Sequence, residues 1–223
     1  MRKEIAIFIN VRRKSRRCPD KLLKSFAGTT LIDILLDKIK EVDSYPIYFA
    51  AYEEEFIEKA KNFKNIKIIK RSLESAEENS VASKIFEALN YIPSEYVAWI
   101  NPCHPFLRIE TFLSSIEFFK DKRPVSLTSV KKKKGWFYTP AGEPITNKDK
   151  LEVDTVLSDW IYEVAHAFHI YPREFMIKYS KPWTNTVNDP YLFEISELEA
   201  LDIDTEEDFC MIEFLYQRLK KGV

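Results

Sequence analysis

A chain of 223 residues that is 45% hydrophobic and 31% charged can bury a core and is not a disordered segment. Its 34 Lys+Arg against 35 Asp+Glu leave a formal charge of −1, which argues against a dedicated nucleic-acid binder but leaves a local basic site open. The four glycines, Gly28, Gly135, Gly142 and Gly222, are too scattered for a Rossmann G-x-G-x-x-G or a Walker A loop, so any phosphate grip must use other groups.

In chain order, the apolar run IAIFIN at 5–10 predicts a buried parallel strand. A basic loop follows it. Apolar residues at 31, 32, 34, 35, 36 and 39 then mark a helix within 30–42. Strands are expected at 46–51 and 66–69, around a short helix at 53–61 whose acidic first turn suits the helix dipole. A helix is predicted over 79–91, a strand over 95–101, a helix over 109–120 and a strand over 125–130. Residues 131–146 read as a hairpin turning at Pro140-Ala141-Gly142. A strand at 164–171, a short helix at 172–178 and a strand at 191–195 come next. A final helix starts at Thr205, with Asp208 placed to complete a capping box.

Strands alternating with helices predict an α/β fold with a mixed, mainly parallel sheet. The chain reads as one domain over 1–223, in which 131–190 breaks the alternation and forms an inserted arm for dimer contacts or a substrate lid. The three cysteines, Cys18, Cys103 and Cys210, form no C-x-x-C pair and suit free thiols in a reducing compartment. No apolar run approaches the length of a membrane span, and the N-terminal run is too short for a signal h-region. A cytoplasmic protein with no membrane or nucleic-acid partner is expected.

Two segments carry chemistry. Arg12, Arg13, Lys14, Arg16, Arg17 and Lys21 place six positive charges in ten residues after the first strand. Strand ends are where open α/β sheets bind ligands, and Arg forks with a Lys point charge suit a polyphosphate. A solvated basic turn is the alternative. In Leu201-Asp202-Ile203-Asp204-Thr205, alternation at a strand end puts both carboxylates on one face, a hard-oxygen site for Mg²⁺. The alternative, an acidic helix start, accounts for Glu206, Glu207 and Asp208 better than for the aspartate pair.

The first segment, Arg12-x-x-Ser15-x-Arg17-x-Pro19-x-Lys21, resembles the R-x-G-S-x-R-x-P-x-K loop of the sugar-nucleotide cytidylyltransferases, including the acylneuraminate and KDO enzymes. The second resembles their D-I-D-T-x-x-D-F motif. The resemblance implies a Rossmann-like nucleotidyltransferase domain that moves CMP from CTP to an acidic sugar and releases pyrophosphate, a homodimer, and a place in cell-surface polysaccharide synthesis. By the same resemblance, Arg12, Ser15, Arg17 and Lys21 hold the CTP phosphates. Asp202 and Asp204 bind Mg²⁺, and Arg12, Lys21, Asp202 and Asp204 form the catalytic set. Arg71 contacts the base. Asn101-Pro102-Cys103-His104-Pro105 stands for Q-P-T-S-P and lines the cleft with Asn101 and His104. His166, in Ala165-His166-Ala167-Phe168 against N-G-A-I/F, touches the sugar. Lys14, Asp20 and His166 occupy slots where relatives hold glycine or another small or turn-forming residue. A different acceptor or base, or an inactive nucleotide-binding homologue, are the competing readings.

Overall fold

The computed structural model describes residues 5–77, 79–149, 154 and 156–221. β1 (Ile5–Asn10) is buried up to Ile9, and β2 (Ile47–Ala51) is buried throughout. Such apolar runs suit strands covered on both faces. Between them α1 (Leu31–Ile39) begins where the Thr30 hydroxyl accepts the Asp33 amide at 3.2 Å. This satisfies one orphan donor of the first turn. α2 (Glu54–Lys61), β3 (Ile66–Lys70), β4 (Tyr96–Ile100) and α5 (Ile109–Lys122) follow as expected, within one or two residues. β5 (Leu127–Lys134), β6 (Trp160–Pro172), α6 (Arg173–Tyr179), β7 (Tyr191–Glu194) and α7 (Glu206–Lys220) complete the chain.

Among the described residues the strands form one seven-stranded sheet in the order β3-β2-β1-β4-β6-β5-β7. Only β6 runs against the others. The expected mixed, mainly parallel α/β sheet is therefore present. Its larger core packs α1 and α5 with Phe26, Phe112, Phe168 and Phe209, all nearly or wholly buried. Each such side chain contributes about 1.5–3 kcal/mol relative to exposure. The other face buries Phe8, Tyr48, Leu89 and Tyr171.

Two segments depart from the sequence reading. The single helix expected over 79–91 is broken into α4 (Ala82–Ile85) and a 3₁₀ turn at Glu87–Tyr91, after a short α3 (Leu73–Ala76) that the pattern did not announce. Phe86 leaves helical geometry at φ −102°, ψ 16°. The Ile85 carbonyl accepts Asn10 Nδ2 at 2.9 Å, and the Leu89 amide turns to the Phe86 carbonyl. A tertiary hydrogen bond has overridden local periodicity. The second departure concerns the lysine run. Lys131–Lys134 continue β5 and pair with Glu163–Trp160 of β6, so only the tip around Tyr138 and Pro144 folds back as a hairpin. Lys131 pairs with Glu163 at 3.0 Å and Lys132 lies 4.2 Å from the Trp160 ring centre, consistent with a solvated ladder.

A large bulge interrupts the β5–β6 ladder. Thr128 pairs with His169 and Val130 with Val164, so four β6 residues, 165–168, stand opposite Ser129. The Ser129 hydroxyl accepts the amides of Ala167 and Phe168 at 3.0 and 3.2 Å, satisfying donors that the ladder has lost. His166, inside the bulge, has φ +56°.

Candidate active site

The carboxyl ends of β1 and β4 open into a cleft of about 540 Å³. Arg12, Lys14, Ser15, Arg16, Arg17 and Lys21 line it, together with Asn10, Trp99, Asn101 and Asp204. The basic loop has its shape without glycine. Asp20 takes the left-handed conformation itself at φ +56°, its carbonyl receives the amides of Leu23 and Lys24, and its carboxylate pairs with Arg13 at 2.8 Å. Short acidic residues tolerate this region better than most. Lys14 needs no such backbone, since it is absent from the left-handed positions, and its ammonium reaches Glu77 at 2.6 Å.

The two segments singled out from the sequence meet here. Lys21, with a side chain only 13% exposed, lies 3.4 Å from Asp204 Oδ1, and its ammonium also donates to the Ile203 carbonyl at 2.5 Å. Arg17 pairs with Asp204 Oδ2 at 2.9 Å. Arg12 donates to the Glu77 carbonyl at 3.0 Å. The acidic segment is not a strand end, as alternation suggested, but an extended loop entering α7, tied to β4's end by the Ile203 amide on the Cys103 carbonyl at 3.1 Å. The expected capping box is present: Thr205 Oγ1 accepts the Asp208 amide at 3.1 Å, and Asp208 accepts the Thr205 amide at 2.8 Å. Asp208 also accepts the Asp204 amide at 3.2 Å, so the cap holds the Asp204 backbone.

Asp202 and Asp204 flank Ile203, which is fully buried. Burial first, then the neighbouring Asp204 and Asp208, push the Asp202 carboxyl up to about 7. Its Oδ1 is buried without a hydrogen-bond partner. An under-compensated carboxylate beside a second one is suited to a hard cation. Among the described residues no group of three or more His, Cys, Asp or Glu side chains is placed to hold a metal. Two carboxylates thus fit Mg²⁺ as a partial ligand set completed by phosphate oxygens and water.

The remaining candidates divide. Asn101 lines the cleft; its Nδ2 donates to the His166 carbonyl at 3.1 Å and its Oδ1 accepts the Cys103 amide at 3.1 Å. His166 is exposed beside it. His104 is not a cleft-wall group: it is 3% exposed, bonds the Ala165 carbonyl through Nε2 at 2.9 Å, and burial lowers its pKa to about 3. It supports the bulge from behind. Arg71 also differs from the expectation of a base contact. It is 3% exposed, donating through Nη1 to the Val11 carbonyl at 2.7 Å, through Nε to Ser75 Oγ at 3.0 Å and through Nη2 to the Ser75 carbonyl. It braces the root of the basic loop. Burial pushes the Cys103 thiol up to about 12, so it is no nucleophile at neutral pH.

The sequence reading passed over two kinds of residue. Asn10 and Trp99 line the cleft; a polar residue closing an apolar run was the available sign for Asn10. Lys38 drives its ammonium into the carbonyls of Pro105 and Leu107 at 2.5 and 2.7 Å, and burial lowers its pKa to about 8. Nothing in a helix stripe announces that contact.

Residues 6–220 match the family model described as cytidylyltransferase. No curated protein matches the sequence. Among solved structures, the chain is similar to CMP:2-keto-3-deoxy-manno-octonic acid synthetase complexed with CTP, with a TM-score of 0.71 and 13% identity over 99% of this chain and 100% of that one. It is also similar to a 4-diphosphocytidyl-2C-methyl-D-erythritol synthase from Anaerococcus prevotii (TM-score 0.65, 16% identity, 96% of each chain). A cytidylyltransferase from Leptospira borgpetersenii gives a TM-score of 0.58 at 15% identity over 98% of this chain and 94% of that one. At these identities the likeness establishes the fold.

Proposed function

The chain belongs to the cytidylyltransferase family, and from that premise we propose that it transfers CMP from CTP to a hydroxyl of an acidic sugar of the 2-keto-3-deoxy class, such as a sialic acid, with release of pyrophosphate. The observation that carries this reading is the closure of Arg17 and Lys21 onto Asp204 across more than 180 residues of sequence, which brings the cations assigned here to the phosphates and a carboxylate assigned here to the metal to one cleft.

In this reading Arg12, Ser15, Arg17 and Lys21 bind the triphosphate, and Lys14 and Arg16 add positive charge around it. Asp202 and Asp204 would hold Mg²⁺, which supplies charge neutralisation at the phosphate oxygens when bound. The contacts of Arg17 and Lys21 with Asp204 keep the carboxylate compensated before substrate arrives, and phosphate oxygens exchange for Asp204 on those cations. The sugar hydroxyl attacks the α-phosphate, forming a new P–O bond as the bond to the β-phosphate oxygen breaks and pyrophosphate leaves. The protein acts by positioning and by electrostatic stabilisation of the transferring group. Asn101, in the cleft wall, and His166, whose carbonyl it holds, are assigned to the acceptor in this reading.

The arm of β5 and β6 leaves Tyr138, Ile145, Val156 and Trp160 exposed, which supports docking on a second copy as a homodimer. No helix among the described residues is long and apolar enough to cross a membrane. Cys18, Cys103 and Cys210 carry no disulfide, which suits a cytoplasmic setting.

The test is pyrophosphate release from each NTP with Mg²⁺ and a panel of acidic sugars and sugar phosphates. Release from CTP with a sialic-type or other 2-keto-3-deoxy acid is expected. Release only with a sugar or polyol phosphate would assign a different acceptor, and nucleotide binding without release for any acceptor would refute the transferase reading.

A further inference from the structure

All three histidines of the chain, His104, His166 and His169, gather at the β6 bulge. Two of them form a chain with a threonine. His166 Nδ1 lies 3.2 Å from His169 Nε2, and His169 Nδ1 lies 2.8 Å from Thr128 Oγ1. Thr128 is fully buried and His169 is 7% exposed. The His169 ring is stacked on Trp99, with centroids 5.1 Å apart and planes 13° apart, and meets Trp183 edge-on at 5.2 Å. These two indoles fix its orientation.

The direction of the hydrogen bonds follows from counting donors and acceptors. Among the described residues, the Thr128 hydroxyl has one hydrogen-bond partner, His169 Nδ1. A buried hydroxyl proton without an acceptor is costly, so Thr128 donates and Nδ1 accepts. The one ring proton of a neutral His169 then sits on Nε2 and is donated to His166 Nδ1. His166 in turn keeps its own ring proton on Nε2. Burial holds both rings neutral, lowering the His169 pKa to about 3 and shifting His166 the same way against the pull of Asp204. A cationic His166 would face the His169 N–H with a second N–H, which the chain disfavours. The site invests in this residue: its backbone is left-handed at φ +56°, where a side chain is uncommon, and its carbonyl is held by Asn101 of the cleft wall.

We infer that Thr128 and His169 are positioning residues that hold His166 as a neutral imidazole with its Nε2–H offered to an unprotonated oxygen, carboxylate or carbonyl, of the acceptor substrate. This rests on the proposed transferase reading for the identity of the ligand, and not for the hydrogen-bond chain. A sequence of aligned donors polarises each successive bond, so the terminal N–H is a better donor than an isolated neutral imidazole.

Long-range ¹⁵N–¹H spectra of the ¹⁵N-labelled protein at pH 7 read the tautomers directly. His166 and His169 are both expected as Nε2–H forms, and Thr128→Val is expected to release His169 from a single tautomer. An Nδ1–H or cationic His166 overturns the inference whether or not the protein turns over any sugar. With whichever acceptor in the panel releases pyrophosphate, His166→Gly, which suits the left-handed backbone, and Thr128→Val should each raise the acceptor KM about three- to tenfold, as for one hydrogen bond. The KM for CTP should stay unchanged. An equal rise in both KM values, or none, overturns the acceptor-side role. Absence of release with every acceptor counts against the proposed reaction, while the spectra still decide the chain.

Discussion

Replacing Arg71 by methionine separates a structural brace from a base-reading residue. Arg71 gives hydrogen bonds to the Val11 carbonyl, Ser75 Oγ and the Ser75 carbonyl, all in a buried setting. Hydrogen bonds from charged groups are worth about 1.5–3 kcal/mol each by deletion. Methionine restores apolar packing and removes the cost of a buried charge, which already lowers the Arg71 pKa to about 10. The net loss should be about 2–4 kcal/mol. For a chain of this length that is a fall in Tm of roughly 5–15 °C. Calorimetry or circular dichroism measures it, and initial rates with CTP and UTP measure discrimination. The basic loop loses its brace at Val11, so kcat/KM falls for both nucleotides while their ratio stays constant. A Tm within 1 °C of the parent, with the CTP:UTP ratio collapsed, would refute this reasoning and return Arg71 to the base.

Other substitutions probe the rest of the account. Asp204→Asn should reduce Mg²⁺-dependent turnover by at least about a hundredfold, the scale of losing a main electrostatic stabiliser, and leave the far-ultraviolet spectrum unchanged; undiminished turnover would remove Asp204 from the metal pair. Ser129→Ala strips the acceptor from two bulge amides and should cost about 1–3 kcal/mol in urea unfolding. Thr205→Ala removes the cap of α7 and should cost about 1 kcal/mol, with a rise in the Mg²⁺ needed for half-maximal rate, because the same cap holds the Asp204 backbone. His169 has a folded pKa of about 3, below the ordinary histidine value of about 6.5. Between those values the unfolded chain binds the extra proton, so stability falls as pH drops, with a slope from this group of up to ~1.4 kcal/mol per pH unit. His169→Gln should flatten the pH 6 to 4 limb of the stability curve by that amount, and parallel curves would contradict it.

Much of the scaffold was legible because its causes are local. The apolar runs of β1 and β2, the stripe of α1 and the Thr205 and Asp208 cap each express a period or a capping geometry that needs no partner. The failures arose where a distant group decided the outcome. Asn10 claims the Ile85 carbonyl and breaks a helix that periodicity continues. β6 takes as its partner the four lysines that the local pattern assigns to a hairpin closing on itself at Pro140-Ala141-Gly142. The candidate site follows the same division. The basic loop and the aspartate pair stand out as clustered charge, and the loop meets Asp204 at one cleft. Arg71 and His104 looked like ligand contacts because charge and imidazole are chemically suggestive, yet both are buried supports, and burial cannot be read from residue type. The glycine deficit had a physical sequel. Asp20 and His166, at slots where the resembling family uses small or turn-forming residues, keep the left-handed backbone and add side chains to it.

The claim that the cleft between the 12–21 loop and Asp202–Asp204 holds the triphosphate is tested most directly by calorimetric titration of CTP and of cytidine, each with Mg²⁺, into the parent protein and the Arg12→Ala/Arg17→Ala double variant. CTP affinity should fall by at least about a hundredfold, as expected for two lost charge-assisted contacts, while cytidine binding stays the same. CTP binding equally tight in both proteins would contradict the account.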